Sequence, residues 1–206
     1  MSRTLPRFSA VILAGGRSRR MGKDKAWLNW AGQPMVVRQL ELVRPLGPVE
    51  LFVSGRPEAD YGGLGCPVLL DRFVDAGPLA GIERGLAVGS APLLLVVAVD
   101  MPWLEEGFLR ELLGRCTEER GVVPVWEGRV EPLVGVYPRN SHAWVVDLLE
   151  QGQCAVWRFV ERCHQQGVVE LWSVPFTAGG NLRNCNCPED WAHARKAVLQ
   201  RVRVSR

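Results

Sequence analysis

The sequence predicts an α/β domain built around a mostly parallel sheet. Apolar runs of strand length alternate with longer segments of helical periodicity through the first two-thirds of the 206-residue chain. Residues 93–99 have no polar interruption, as expected of a central strand that is covered on both faces. The first apolar run, 8–13, leads into two glycines and then several cations. A strand that ends in such a loop is how α/β domains build a phosphate site at the carboxyl edge of the sheet.

The other elements follow from local signals in chain order. The expected strands are residues 8–13, 49–54, 68–70, 93–99, 122–126, 129–137 and 168–174. The expected helices are residues 35–43, 78–88, 108–116, 141–149 and 156–163, with a last helix that begins at Pro188. Proline stands where the first two of these helices begin and where the last begins, as its fixed φ favours. The alternation within 129–137 after the turn Glu127-Gly128 predicts a strand that returns antiparallel to the sheet.

Length and composition fit one domain with a sizeable core, since 47% of the residues are hydrophobic and 23% are charged. The net charge of +3 is too small to indicate nucleic-acid binding, and no basic stripe is interleaved with aromatic residues. The longest apolar run, 91–99, is about half of what a bilayer requires, so no membrane span is expected. Residues 1–7 have no signal-peptide pattern, which predicts a cytoplasmic protein.

Six cysteines in a chain without a secretion signal indicate reduced thiols. The pair Cys185-x-Cys187 could suggest a metal site. No second closely spaced pair exists, however, and the three histidines form no ligand motif. The cysteines are therefore interpreted as structural or incidental.

The loop after the first strand has the composition of a phosphate site. Three arginines and two lysines lie within residues 17–25, beside Gly15 and Gly16. Glycines let backbone N–H groups approach a ligand, and the crowded cations repel one another unless an anion compensates them. The loop is not a P-loop, because five residues separate Gly16 from Gly22 and Asp24 follows the lysine. The dinucleotide fingerprint is also absent.

Two carboxylates follow predicted strands. Asp100 comes directly after the apolar run 93–99, and Asp71 comes directly after 68–70. Ligands bind at the carboxyl ends of parallel strands, and Mg²⁺ prefers one or two carboxylates together with phosphate oxygens and water. Asp100 is therefore the candidate metal ligand. The alternative is that either aspartate is an ordinary turn residue.

Two further segments are candidates for ligand contacts. Residues 77–81 place Pro78 in the first turn of a helix, which leaves backbone N–H groups free for a ligand or simply starts the helix. Asn184 and Asn186 are two residues apart on an extended stretch, so both project to one face. Turn residues before a helix would have the same pattern.

Several short motifs, each present once, follow one another along most of the chain. They are Leu13-Ala14-Gly15-Gly16 with Arg20-Met21-Gly22 and Asp24-Lys25, Gly77-Pro78-Leu79-Ala80-Gly81, Val99-Asp100-Met101-Pro102, Glu131-Pro132-Leu133-Val134, and Asn184-Cys185-Asn186-Cys187-Pro188-Glu189-Asp190. Together they resemble the motifs of the molybdenum cofactor guanylyltransferases, a family of nucleotidyltransferases. The resemblance implies a single Rossmann-like three-layer α/β/α domain over 1–206, with a nucleotide-binding half at 8–126, an acceptor-binding half at 127–190 and a C-terminal helix or tail at 191–206.

The resemblance also implies a reaction. GMP would pass from GTP to the terminal phosphate of molybdopterin, with Mg²⁺ bound and pyrophosphate released. Lys25 would lie beside the α-phosphate, Arg19 would contact the β- and γ-phosphates, and Asp100 would hold the metal. Asn184 and Asn186 would bind the acceptor. The implied nucleotide-binding residues are Leu13, Ala14, Gly15, Gly16, Arg19, Lys25, Asp71, Gly77, Pro78, Leu79 and Asp100.

Alternatives remain at this point. A cytidylyltransferase acting on the same cofactor is the nearest, but that branch tends to have alanine where this chain has Gly15. A non-catalytic protein that delivers the cofactor is another. The guanylyltransferase interpretation also allows transient contact with molybdoenzymes or cofactor chaperones. Cys187 departs from the family pattern, which has threonine at this position. Among the tryptophans, Trp103 is the candidate for stacking on a pterin, because it lies close to Asp100 in the chain.

Overall fold

The computed structural model describes residues 4–15 and 25–185. Its strands are β1 Phe8–Leu13, β2 Asn29–Trp30, β3 Gln33–Pro34, β4 Leu51–Gly55, β5 Val68–Leu70, β6 Leu93–Ala98, β7 Gly121–Trp126, β8 Arg129–Val130, β9 Val134–Pro138 and β10 Val169–Ser173. Its α-helices are α1 Met35–Val43, α2 Pro78–Val88, α3 Glu106–Gly114, α4 His142–Glu150 and α5 Val156–Gln165. Single 3-10 turns lie at Lys25–Trp27, Arg44–Leu46, Arg139–Ser141 and Gly179–Leu182.

The central sheet has five strands in the order β5-β4-β1-β6-β9. The first four are parallel, and β9 joins β6 antiparallel. A second sheet, β10-β7-β8, pairs β7 parallel with β10 and antiparallel with β8. This architecture confirms the expected α/β class with a mainly parallel sheet and an antiparallel strand. The strand order reverses between β1 and β6, which is where open α/β sheets form a ligand crevice.

The alternation of side chains along the central strands builds a core on each face of the sheet. In β1, Phe8 and Ile12 pack among residues of α1 and α3, whereas Val11 and Leu13 pack among residues of α2, α4 and α5. Strand β6 repeats this division, since successive residues of a strand point to opposite faces. The result is three layers, with helices on both sides.

The strand expected over residues 129–137 is two strands. The chain first pairs with β7 as β8, bends, and then joins the other sheet as β9 beside β6. The bend contains Pro132, which has no N–H to donate to a ladder. The N–H of Val134 donates to the Glu131 carbonyl (3.3 Å), and the N–H of Ala98 donates to the Leu133 carbonyl (2.8 Å). These bonds fasten the bend to the carboxyl end of β6.

The hairpin formed by β2 and β3 was not expected. Its two turn residues, Ala31 and Gly32, have φ of 50° and 101°, which suits a tight hairpin but is unusual for alanine. The Asn29 side-chain oxygen accepts a hydrogen bond from the N–H of Gly32 (3.1 Å).

The last helix, expected from Pro188, lies outside the described residues. Among those that are described, no helix is long and apolar enough to cross a bilayer.

Candidate active site

The candidate site lies where the carboxyl ends of β1, β4 and β6 meet. The N–H of Ala14 donates to the carbonyl of Ser54 (2.8 Å), and the N–H of Val99 donates to the carbonyl of Leu13 (3.2 Å). The first residues after β1 are thereby held between its two neighbours. The side chains of Leu13 and Ala14 are buried. Contacts from these two residues to a nucleotide would therefore come from their backbone, and Gly15 next to them is half-buried.

Lys25 and Asp100 form an ion pair at this edge. The Lys25 Nζ lies 2.8 Å from the Asp100 Oδ2, and the two side chains are 18% and 19% exposed. Asp100 follows β6 directly, and Lys25 lies where the chain returns from the loop after β1. The structure thus brings together the predicted phosphate-binding cation and the predicted metal ligand. A partly buried cation next to a carboxylate can serve a phosphate and a divalent metal ion side by side.

The backbone after Asp100 is held from two directions. The buried Gln39 side chain of α1 donates its Nε2–H to the carbonyl of Met101 (2.8 Å). The N–H of Cys185 donates to the carbonyl of Asp100 (3.0 Å). Asn184 precedes Cys185 and is exposed, and its binding of the acceptor stays a prediction. Gln39 was missed by sequence reasoning, and its one signal is a polar residue on the apolar face of α1.

Asp71 follows β5 on the other side of the crevice and is half-buried. The Ser54 hydroxyl donates to its Oδ1 (3.4 Å). Burial raises the pKa of the Asp71 carboxyl, the Ser54 hydrogen bond opposes the rise, and the nearby Glu83 carboxylate adds to it. Ser54, on the strand next to β1, therefore links that strand to the predicted nucleotide-binding aspartate. Its sequence context did not predict this contact.

Helix α2 begins at the same edge. Its N-cap, Gly77, has φ 68° and ψ −153°, a conformation that side chains other than glycine rarely adopt, and Pro78 follows in the first turn. No side chain of the described residues caps this helix. Gly77 and Pro78 are exposed, whereas the Leu79 side chain is fully buried. Leu79 can therefore offer a nucleotide only its backbone.

The close approach of α2 to the sheet depends on Gly81. A Cβ at this position would lie 2.5 Å from the Ser54 Oγ and 2.7 Å from a Leu13 methyl carbon. The absence of a side chain thus lets the start of α2 rest directly on β1 and β4. This packing sets the distance between the helix N-terminus and Asp71.

Sequence reasoning also missed Glu83. Its side chain is fully buried, and its Oε1 lies 3.0 Å from the His142 Nε2 and 3.4 Å from an Arg72 nitrogen. A signal was present: Leu79, Ile82 and Leu86 mark one face of α2 at helical spacing, and Glu83 falls on that face.

Trp103 lies in the loop after Asp100 and is half-buried. Its ring meets that of Trp30 edge-on, with centroids 5.1 Å apart. The contact ties this loop to the β2–β3 hairpin. Stacking of Trp103 on a pterin stays a prediction.

The predicted site residues Gly16, Arg19 and Asn186 lie outside the described part of the chain, as do the motif residues Arg20 and Cys187. Within residues 4–15 and 25–185, no group of three or more His, Cys, Asp or Glu side chains could hold a metal ion by itself. The five described cysteines form no disulfide with one another.

The sequence matches the family described as MobA-like NTP transferase domain over residues 10–169. A protein from Opitutus terrae named probable molybdenum cofactor guanylyltransferase is 33% identical over 199 residues, covering 95% of this chain and 98% of that one. A molybdenum cofactor guanylyltransferase from Pseudomonas aeruginosa is 35% identical over 200 residues, covering 93% and 96%.

Solved structures share the fold. The molybdopterin-guanine dinucleotide biosynthesis protein A from Archaeoglobus fulgidus has a TM-score of 0.72 at 20% identity, covering 93% of this chain and 99% of that one. A nucleotidyl transferase from Methanothermobacter has a TM-score of 0.75 at 19% identity, covering 94% and 98%.

Proposed function

Because the chain belongs to the MobA-like NTP transferase family and is therefore a nucleotidyltransferase, we propose that it transfers GMP from GTP to molybdopterin. The product is the guanine dinucleotide form of the cofactor, and pyrophosphate leaves. The names of the two curated relatives support the choice of substrates. The Lys25–Asp100 pair at the switch point of the sheet is the observation in the structure that carries the proposal.

The proposed reaction is a direct in-line displacement. An oxygen of the acceptor phosphate forms a bond to the α-phosphorus as the bond from that phosphorus to the bridging oxygen of pyrophosphate breaks. No enzyme nucleophile is needed, so the protein contributes positioning and charge neutralisation. Lys25 offsets negative charge on the α-phosphate, and Arg19 does the same for the departing phosphates.

The remaining residues hold the two substrates. The backbone of Ala14 and Gly15, the N-terminus of α2 at Gly77 and the Asp71 carboxylate bind the nucleotide in this proposal. Asn184 and Asn186 bind the acceptor phosphate or a water next to it. Asn184 is supported by the bond from the Cys185 N–H to the Asp100 carbonyl, which brings this segment to the site.

A divalent metal fits the residues present. Asp100 offers a partly exposed carboxylate at a strand end, and Mg²⁺ takes its other ligands from phosphate oxygens and water. When bound, Mg²⁺ would neutralise charge on the phosphates. The Lys25 ammonium donates a hydrogen bond to the Asp100 carboxylate and compensates its charge. We place the reaction in the cytoplasm, with the product handed to molybdoenzymes or cofactor chaperones in transient contacts.

The test measures pyrophosphate release from GTP, CTP, ATP and UTP, each with Mg²⁺ and molybdopterin. Wild type is compared with Asp100→Asn and with Glu111→Gln, an exposed residue of α3 whose partner is Arg115. We expect GTP-selective release that requires Mg²⁺, falls at least 100-fold in Asp100→Asn and is unchanged in Glu111→Gln.

Other outcomes would contradict particular parts of the proposal. Release from CTP would keep the reaction type and replace guanylyl by cytidylyl transfer. Pyrophosphate release that persists in the presence of a chelator would show that the reaction does not require Mg²⁺. Absence of release from every nucleotide, with molybdopterin still bound, would favour a delivery protein.

A further inference from the structure

Glu83 is a buried acidic residue that the proposed reaction does not use. Its side chain has no exposed surface, and its Oε1 is shared by His142 and Arg72. Its Oε2 is also buried and has no hydrogen-bond partner within the described part of the chain. A buried carboxylate destabilises a fold unless its surroundings compensate the charge, and here only one oxygen is compensated. An apolar residue would pack this face of α2 at lower cost.

The three groups in this cluster come from three parts of the site. Arg72 follows Asp71 in the chain, and its side chain is 60% exposed at the nucleotide side of the crevice. Glu83 belongs to α2, whose N-terminus at Gly77 faces the same crevice. His142 is the first residue of α4, in the half of the chain predicted to bind the acceptor. One carboxylate therefore connects the Asp71 loop, α2 and α4.

The same carboxylate acts on Asp71 through space. The groups that face Asp71 are the Ser54 hydroxyl of β4 and the charged Glu83 and Arg84 of α2. Burial raises the Asp71 pKa first, and the like charge of Glu83 raises it further. Removing that charge alone lowers the Asp71 pKa while leaving the Ser54 hydrogen bond in place.

We infer that Glu83 is a positioning residue for nucleotide binding. Its contact with Arg72 ties the Asp71 loop to α2, and its contact with His142 ties α2 to α4. This inference rests on the proposed function. It adds a residue that touches no substrate and reaches the nucleotide side through Arg72. Glu83→Gln keeps the size and one acceptor oxygen but removes the charge.

The experiment compares wild type, Glu83→Gln and Glu111→Gln in pyrophosphate release. We expect the KM for GTP to rise at least fivefold in Glu83→Gln, with kcat and the KM for molybdopterin within twofold of wild type. Ionised Asp71 is an acceptor at both oxygens, whereas protonation turns one of them into a donor. The acid limb of kcat/KM for GTP should therefore move to lower pH in this variant, a change that loss of packing would not produce.

The contrary results are distinct. An unchanged KM for GTP, or an acid limb that does not move, in folded Glu83→Gln would overturn the positioning role. No release by wild type would overturn the proposed function instead, and the dissociation constant for GTP would then test Glu83 directly. If Glu83→Gln does not fold, His142→Gln and His142→Phe replace it: the amide can still donate to Glu83 and the ring cannot, so only Phe should raise the KM for GTP.

Discussion

Substitution of Gly81 by alanine tests the contact between α2 and the sheet. The added Cβ would meet the Ser54 Oγ at 2.5 Å and a Leu13 methyl at 2.7 Å, both far closer than van der Waals distance. Ser54 and Leu13 are both buried, so the added Cβ forces their side chains into other rotamers or moves the helix outward. Gly107 in α3 provides a matched control, because a Cβ there meets nothing within 4 Å.

The magnitude follows from two opposing contributions. Replacing glycine by alanine inside a helix stabilises it by about 1 kcal/mol. Overpacking a close contact destabilises by about 1–3 kcal/mol. Gly107→Ala has only the first contribution, and that is reduced because Gly107 is the second residue of α3, whereas Gly81→Ala has both. The free energy of unfolding of Gly81→Ala should therefore lie about 1–2 kcal/mol below that of Gly107→Ala.

Urea denaturation of both variants measures this difference, and pyrophosphate release supplies a second readout. An outward shift of α2 separates its N-terminus from Asp71, so the KM for GTP should rise in Gly81→Ala and stay unchanged in Gly107→Ala. Equal stabilities of the two variants would refute the argument, since the close contact would then carry no free energy.

Two further predictions concern the core. In Gln39→Leu the buried carbonyl of Met101 loses its donor, and the buried, unpaired Gln39 Oε1 is removed with it. The net result should be a free energy of unfolding about 1 kcal/mol lower and a reduced kcat through the neighbouring Asp100 loop; a urea midpoint equal to wild type would contradict this. Burial raises the pKa of Cys116 and of Cys163 to about 12, so both thiols should resist a thiol-specific reagent at pH 8 until the protein unfolds, while the exposed Cys154 reacts. Peptide mapping after labelling decides it, and native labelling of either buried thiol would show the argument to be wrong.

Local signals were sufficient for elements whose pattern and boundaries lie in the same few residues. The expected ranges 8–13, 35–43, 68–70 and 78–88 coincide with β1, α1, β5 and α2. The segment that becomes β8 and β9 could not be divided in this way. Its apolar alternation continues past Pro132, and the change of sheet depends on pairing with β7 and then with β6. That pairing is a tertiary event with no local pattern.

The site shows the same limit. Asp100 was predicted from its place at a strand end, Lys25 was singled out among the loop cations by the family resemblance, and the structure brings them within 2.8 Å of each other. Their catalytic roles stay predictions. Gln39 and Glu83 escaped notice because what makes them matter is a partner from another element. A polar residue on the apolar face of a predicted helix is the sequence signal that indicates such a contact.

The bond between the Cys185 N–H and the Asp100 carbonyl also bears on how the protein is made. The parallel strands that carry Asp100 are all encoded before residue 100, whereas the partner of its carbonyl comes 85 residues later. At about 5–20 residues per second, the ribosome needs about 4–17 s to synthesise that interval. A growing chain can thus form the β1–β6 pairing well before the site is closed. Completion of the site waits for the synthesis of residue 185, and a chain that stops short of this residue lacks the bond to the Asp100 carbonyl.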